Sequence, residues 1–254
     1  MTQNISTVCL IPARSGSKRI ANKNIMDING HPLLAYTIST AINSGVFDAI
    51  IVSTNSTEYA DIAKHYGAEV PFLRPSEFSE DLSPDIEWVK YTLNELLARG
   101  RNFDHFSILR PTSPFRTEAT IRRAMVQFSE CTYADSIRAV ELCTQHPGKM
   151  WTIVDNFLIP LLPAQSEGVE WYSSPTQSLP KVWVQNASLE IARTNCVTEL
   201  NSISGKRILS FKTLYPEGLD LNTPADEVVL RSLVGSSPFL LPKISQSPYS
   251  STNR

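Results

Sequence analysis

The sequence contains no C-x-x-C pair, and its four cysteines (Cys9, Cys131, Cys143 and Cys196) stand far apart. The four histidines show no metal-ligand spacing. Both absences argue against a structural zinc site or a redox dithiol. No run of 18 apolar residues reads as a membrane span, and no charged-then-apolar leader is visible. A strong net charge is missing too: 23 basic and 25 acidic side chains sum to −2. A broad surface for nucleic acid or anionic membrane is therefore not implied. There is no internal repeat, and neither G-x-x-x-x-G-K-[ST] nor G-x-G-x-x-G occurs. The expectation is a soluble, cytoplasmic protein of 254 residues, 42% hydrophobic, long enough to bury a sizeable core.

What is present is alternation. Short apolar runs at 7–11, 49–53, 69–73, 106–109 and 136–140 read as strands. Between them lie helical stripes: Leu34, Ile38 and Ile42; Ile86, Val89, Leu93 and Leu96; Ile121, Met125 and Phe128. Pro32 and Pro84 fall near helix starts, and Gly45 and Gly100 near helix ends. Strand and helix in turn predict an α/β fold, with a mostly parallel sheet flanked by helices and right-handed crossovers. Between about residues 150 and 180 prolines and aromatics lose helical period, which predicts an inserted region of short antiparallel strands and loops. A strand at 207–211 and a helix from Pro224 close a domain spanning 1–234. Residues 235–254, rich in Ser and Pro, read as a loosely held tail.

In such sheets ligands bind beyond the carboxyl ends of the strands. There the first strand runs into IPARSGSKRIANKN, residues 11–24, which holds Arg14, Lys18, Arg19 and Lys23 and no carboxylate. Ser15, Gly16 and Ser17 let backbone N–H groups approach an anion closely. Small residues with four cations at this edge suit a polyphosphate such as a nucleoside triphosphate. A solvated basic loop is the plainer alternative. Arg110–Pro114 forms a candidate second wall. Cys9 reads as a buried thiol, and His146, before Pro147, as a turn residue.

IPARSGSKRIANKN resembles the N-terminal motif of the acylneuraminate cytidylyltransferases, the CMP-sialic acid synthetases and their relatives. IIVSTNSTEYADIAKHYGAEVPFLRPSEFSED, LRPTSPFRT, VQNASLEIA and LDLNTPADE resemble four further blocks of that family, in order, to about residue 230. The resemblance implies a Rossmann-like nucleotidyltransferase sheet with a small β/loop dimerisation region. It also implies CTP and a nonulosonic acid as substrates, Mg²⁺ as cofactor, and a homodimer. Residue by residue it implies Arg14, Ser15, Gly16, Ser17, Lys23 and Asn24 around the phosphates. Arg74 and Ser83 fall on the nucleotide side. Thr112, Ser113, Lys149, Gln185 and Asn186 fall toward the sugar, and Asp220 with Asn222 at the metal. Arg14, Lys23, Arg110 and Asp220 would carry catalysis.

Three positions depart from the family's pattern. Arg110 stands where glutamine is usual, Asn222 where a second aspartate is common, and Thr176 where many relatives have arginine. A cation at 110 would meet a phosphate or the acceptor's carboxylate. Two other activities fit less well: a CTP-binding protein without turnover, favoured by Thr176 and Asn222, and activation of 3-deoxy-manno-octulosonate. A glycosyltransferase using Asp220-Leu221-Asn222 would leave the basic loop with no triphosphate to hold.

Overall fold

The structure is a computed structural model and describes residues 5–163 and 168–250. Strands are β1 (Thr7–Pro12), β2 (Asp27–Ile28), β3 (His31–Pro32), β4 (Ala49–Ser53), β5 (His105–Ile108), β6 (Ser136–Leu142), β7 (Trp151–Val154), β8 (Phe157–Pro160), β9 (Trp183–Arg193) and β10 (Ile208–Lys212). Helices are α1 (Leu33–Ser44), α2 (Thr57–His65), α3 (Asp85–Ala98), α4 (Glu118–Glu130), α5 (Asn195–Thr198) and α6 (Pro224–Ser236). The chain divides into two compact units: residues up to Ala139 with those from Asn186 onward, and Val140–Gln185.

A six-stranded sheet runs β10-β6-β9-β5-β1-β4. β1 pairs in parallel with β4 and β5, and β9 joins β5 antiparallel. β1 is a continuous apolar run because both of its faces are covered. Cys9 and Ile11 pack with Leu34, Ile38 and Ile121, while Val8 and Leu10 pack with Trp88, Val89 and Phe106. Burying each such side chain contributes roughly 1.5–3 kcal/mol. Register aligns Pro12 with Ser53 and Leu10 with Ile108, so the loops after β1, β4 and β5 leave the sheet at one edge.

Local chemistry sets the helix ends. Ser56 caps α2 by accepting from Tyr59 N, and reciprocal side-chain bonds of Thr117 with Thr120 and Thr223 with Asp226 cap α4 and α6. Gly45 at φ 66° lets the chain leave α1 in a left-handed turn.

Three expectations change. Residues 69–73 make only the bridge Ile51↔Glu69 instead of a strand. Pro71 has no N–H to extend the ladder, and the chain rejoins the end of β4 only at Arg74 N, which donates to Thr54 O at 2.7 Å. The stretch 183–193, not foreseen as a strand, is the longest one among the described residues. The tail, over its described residues to 250, is held rather than loose. Ser39 Oγ donates to Lys243 O, Tyr249 N donates to Tyr66 OH, and Ile244 and Tyr249 pack on the core. Two apolar anchors and backbone bonds offset the low hydrophobicity of the Ser/Pro sequence.

In the second unit β7 and β8 form a hairpin whose two-residue turn, Asp155-Asn156, has φ of 49° and 67°. This left-handed pair suits the twist of a tight hairpin. Trp151 and Tyr172 rings lie 4.4 Å apart. Ile153 and Phe157 are each 73% exposed, an uncovered apolar face.

Candidate active site

Where β1, β4 and β5 end, the loops enclose a cavity of about 400 Å³. Arg14, Arg19 and Lys23 from the first loop line it, with Arg74 and Ser83, Arg110 and Thr112, and Asp220 and Asn222. A smaller recess of about 320 Å³ shares Arg14, Ser17, Arg19 and Lys23 and adds Lys18. Four cations around that recess face one carboxylate, Asp81.

The basic loop is unbalanced along the chain but not in space. Arg14 Nη2 and Lys18 Nζ each lie 2.6 Å from an Asp81 oxygen, and Arg14 Nη1 donates to Ser79 O at 3.1 Å. These cations hold the Asp81 carboxyl below its usual range. Asp81 thus pairs with the basic loop; no side-chain hydrogen bond caps α3, and Ser83 Oγ donates to Glu77 O. Lys23 Nζ donates to Leu221 O at 2.7 Å. Burial pushes its pKa down, Asp220 opposes that, and Arg19 and Arg14 add to it. Asn24 is buried and donates to Arg14 O, fixing the loop's path. Ser15 is bound to Asn55 Oδ1 through its N–H and hydroxyl, and Gly16 turns the chain at φ 81°. Neither of these two lines the cavity.

Arg74 is 5% exposed, donates to Ser53 Oγ and Ser53 O, and stacks 4.9 Å from the Trp88 ring. Burial lowers its pKa to about 10, which leaves it charged at neutral pH. Arg110 lines the cavity, and its charge is already matched inside the protein. It lies 2.5 Å from Asp85 and 3.4 Å from Glu190, and Glu190 is also 2.8 Å from Arg138. Burial works against the Asp85 charge, yet Arg110 and Trp88 Nε1 hold its carboxyl below the usual range.

Under the Thr112–Ser113 turn lies Arg116, 1% exposed, which donates to Ser188 O, Thr37 Oγ1 and Arg110 O. Leu221 N donates to Thr112 O at 2.9 Å, joining this turn to the Asp220 segment. Ser113 is fully buried and does not line the cavity. Asn186 donates to Thr213 Oγ1 and accepts from Ser188 N, also outside the lining. Lys149 and Gln185 belong to the second unit, where Lys149 Nζ donates to Tyr172 O and Ser174 O. His146 is the turn residue expected, accepting from Gly148 N.

Asp220 Oδ2 accepts from Asn222 Nδ2 at 2.5 Å, while Asp220 Oδ1 is buried with no hydrogen-bond partner among the described residues. An orphaned carboxylate oxygen at a polyphosphate-sized cavity fits a hard cation. No cluster of three His, Cys, Asp or Glu among the described residues can cage a metal. A cation held by Asp220 and the Asn222 amide oxygen would complete its shell from phosphates and water, a coordination that suits Mg²⁺.

Sequence reasoning missed Asp85, Glu190 and Arg116. Asp85 sits at a helix start, where acids are ordinary. Glu190 was visible in principle: a lone acid inside the apolar SLEIA of a strand must find a buried partner.

A family model described as Cytidylyltransferase matches residues 8–143. A pseudaminic acid cytidylyltransferase of Campylobacter jejuni subsp. jejuni serotype O:23/36 (strain 81-176) is 38% identical over 124 residues, 49% of this chain and 53% of that protein. The chain thus spans about half the length of that relative. A CMP-N,N'-diacetyllegionaminic acid synthase of Legionella pneumophila subsp. pneumophila (strain Philadelphia 1) is 34% identical over 233 residues, 89% of this chain and 95% of that one. Among solved structures, a CMP:2-keto-3-deoxy-manno-octonic acid synthetase complexed with CTP superposes with TM-score 0.65 at 12% identity. It covers 91% of this chain and 99% of that one, a likeness of fold alone.

Proposed function

The chain belongs to the cytidylyltransferase family, and on that premise we propose that it transfers CMP from CTP to a 2-keto-3-deoxy sugar acid of the sialic, legionaminic or pseudaminic type. The single observation that carries this reading is the recess ringed by Arg14, Lys18, Arg19 and Lys23, which shares Arg14, Arg19 and Lys23 with the larger cavity at the strand ends. The sugar's anomeric oxygen attacks the α-phosphorus, the bond to the β-phosphate oxygen breaks, and pyrophosphate leaves with the electron pair. The hydroxyl proton passes to water. Most of the rate comes from holding the triphosphate in line and neutralising its charge.

In this scheme Arg14 and Lys23 bind the β- and γ-phosphates, and Asn24 fixes the loop that carries them. Arg74 and Ser83 face the nucleoside, and Thr112 lies toward the acceptor. Asp220 and Asn222 would hold Mg²⁺, which neutralises phosphate charge when bound. Asn222 offers an amide oxygen without charge. The exposed apolar hairpin around Ile153 and Phe157 is the face we assign to a second copy of the chain in a homodimer. The protein would act in the cytoplasm.

The test is pyrophosphate release from CTP and Mg²⁺ with a panel of nonulosonic acids and 3-deoxy-manno-octulosonate. Release with at least one nonulosonic acid is the expected result. Release with the octulosonate alone would move the acceptor assignment to the eight-carbon sugar acid. CTP binding with no release from any acceptor would leave a CTP-binding protein without turnover.

A further inference from the structure

The recess that this functional reading assigns to phosphates already contains an anion. Asp81 lies on the loop between Phe78 and α3 and faces the recess beside Arg14 and Lys18, 2.6 Å from each. The pairing ignores chain proximity, since Arg14 and Asp81 are 67 residues apart. It is also not the loop's internal support. That comes from Arg74 Nη1 bonding Phe78 O, Ser79 Oγ bonding Pro75 O, and Ser83 Oγ bonding Glu77 O. The next residue, Leu82, is 94% exposed, so its side chain gives the carboxylate no apolar anchor, although Phe78 and Ser79 before it are held by the core and by Arg14 Nη1.

A carboxylate here has two consequences. Without ligand, it lowers the mutual repulsion of the clustered cations. With ligand, an anion that uses Arg14 and Lys18 must first displace it. We propose that Asp81 is an exchangeable internal counter-ion that sets anion selectivity, admitting polyphosphates that can replace it and turning away small single anions. A phosphate chain brings several negative charges and reaches Arg14, Lys18, Arg19 and Lys23 together. Near neutral pH an isolated phosphate offers about two charges and gains little over the carboxylate already bonded. This inference rests on the proposed function, because it takes the recess as the triphosphate site.

The experiment compares the full chain with Asp81→Asn and Asp81→Glu, titrating inorganic tripolyphosphate, inorganic phosphate and CTP by calorimetry at two salt concentrations. Tripolyphosphate lacks base and sugar, so it reads the recess alone. Asp81→Asn removes the charge at nearly unchanged size. It should bind tripolyphosphate roughly three- to tenfold tighter, the range that two solvent-facing ion pairs support. Its binding should also depend more steeply on salt, and inorganic phosphate should become measurable. Asp81→Glu should stay near the parent. Equal or weaker tripolyphosphate binding by Asp81→Asn overturns the proposal and makes Asp81 a positioning residue for Arg14, leaving the functional reading intact. If neither protein binds tripolyphosphate or CTP, the functional reading fails and this proposal falls with it.

Discussion

Replacing Arg116 by methionine should loosen the turn that carries Arg110 and Thr112. Arg116 is 1% exposed, and its guanidinium bonds go to neutral oxygens: the Ser188 and Arg110 carbonyls and the Thr37 hydroxyl. Methionine fills much of the volume but donates nothing. Arg110 O keeps two other donors, Ser113 N at 3.3 Å and the Thr37 hydroxyl at 3.4 Å. Ser188 O loses its charged donor, at a cost of about 1–3 kcal/mol for a stranded buried acceptor. Losing the fork that ties β9 to the turn adds a comparable amount. Relief of a buried cation, whose pKa burial has lowered to about 10, offsets part of it. The net is a loss of about 2–4 kcal/mol, or roughly 5–12 °C in Tm for a chain of this size. Urea denaturation with a matched thermal scan measures it. Arg116→Lys, which keeps the charge but not the planar fork, should fall between parent and methionine variant. A methionine variant within about 0.5 kcal/mol of the parent would refute the view that this guanidinium holds the turn.

Glu190→Gln strips both Arg110 and Arg138 of a buried carboxylate 6% exposed on its side chain. A loss of about 3 kcal/mol in urea is expected, because breaking a buried pair strands a charge. A loss under about 1 kcal/mol would show that Asp85 alone compensates Arg110. Burial, aided by Arg193 and opposed by Asp104, lowers the His105 pKa to about 4. The unfolded chain takes up that proton near pH 6.5, so this contribution is intact above about 6.5 and is lost as pH falls toward about 4. Between pH 7 and 5, His105→Phe should lose less stability than the parent, by on the order of 1 kcal/mol; parallel losses would contradict it.

Much of the sheet was legible because its signals are local. The apolar run of β1 and the stripes of α1, α3 and α4 occupy the predicted places, although Ile42 in the first stripe is 39% exposed. β9 was not legible: its first half, WVQNA, mixes polar and apolar residues without a period, and its pairing with β5 spans some 80 positions. The cavity edge could be foreseen from Arg14 to Asn24 following a buried strand. Its electrostatics could not. Asp81 pairs with Arg14 across 67 positions and Asp85 with Arg110 across 25, and only folding brings these partners together. The held tail depends likewise on Tyr66, far away in sequence.

The central claim is that the cations after β1 grip a nucleoside triphosphate. Its most direct test is calorimetric titration of CTP into the double variant Arg14→Gln, Lys23→Gln beside the parent. The account predicts at least a hundredfold loss of affinity, with the circular dichroism spectrum unchanged and the stability from urea denaturation within about 1 kcal/mol of the parent's. CTP binding by the double variant at the parent's affinity would contradict it.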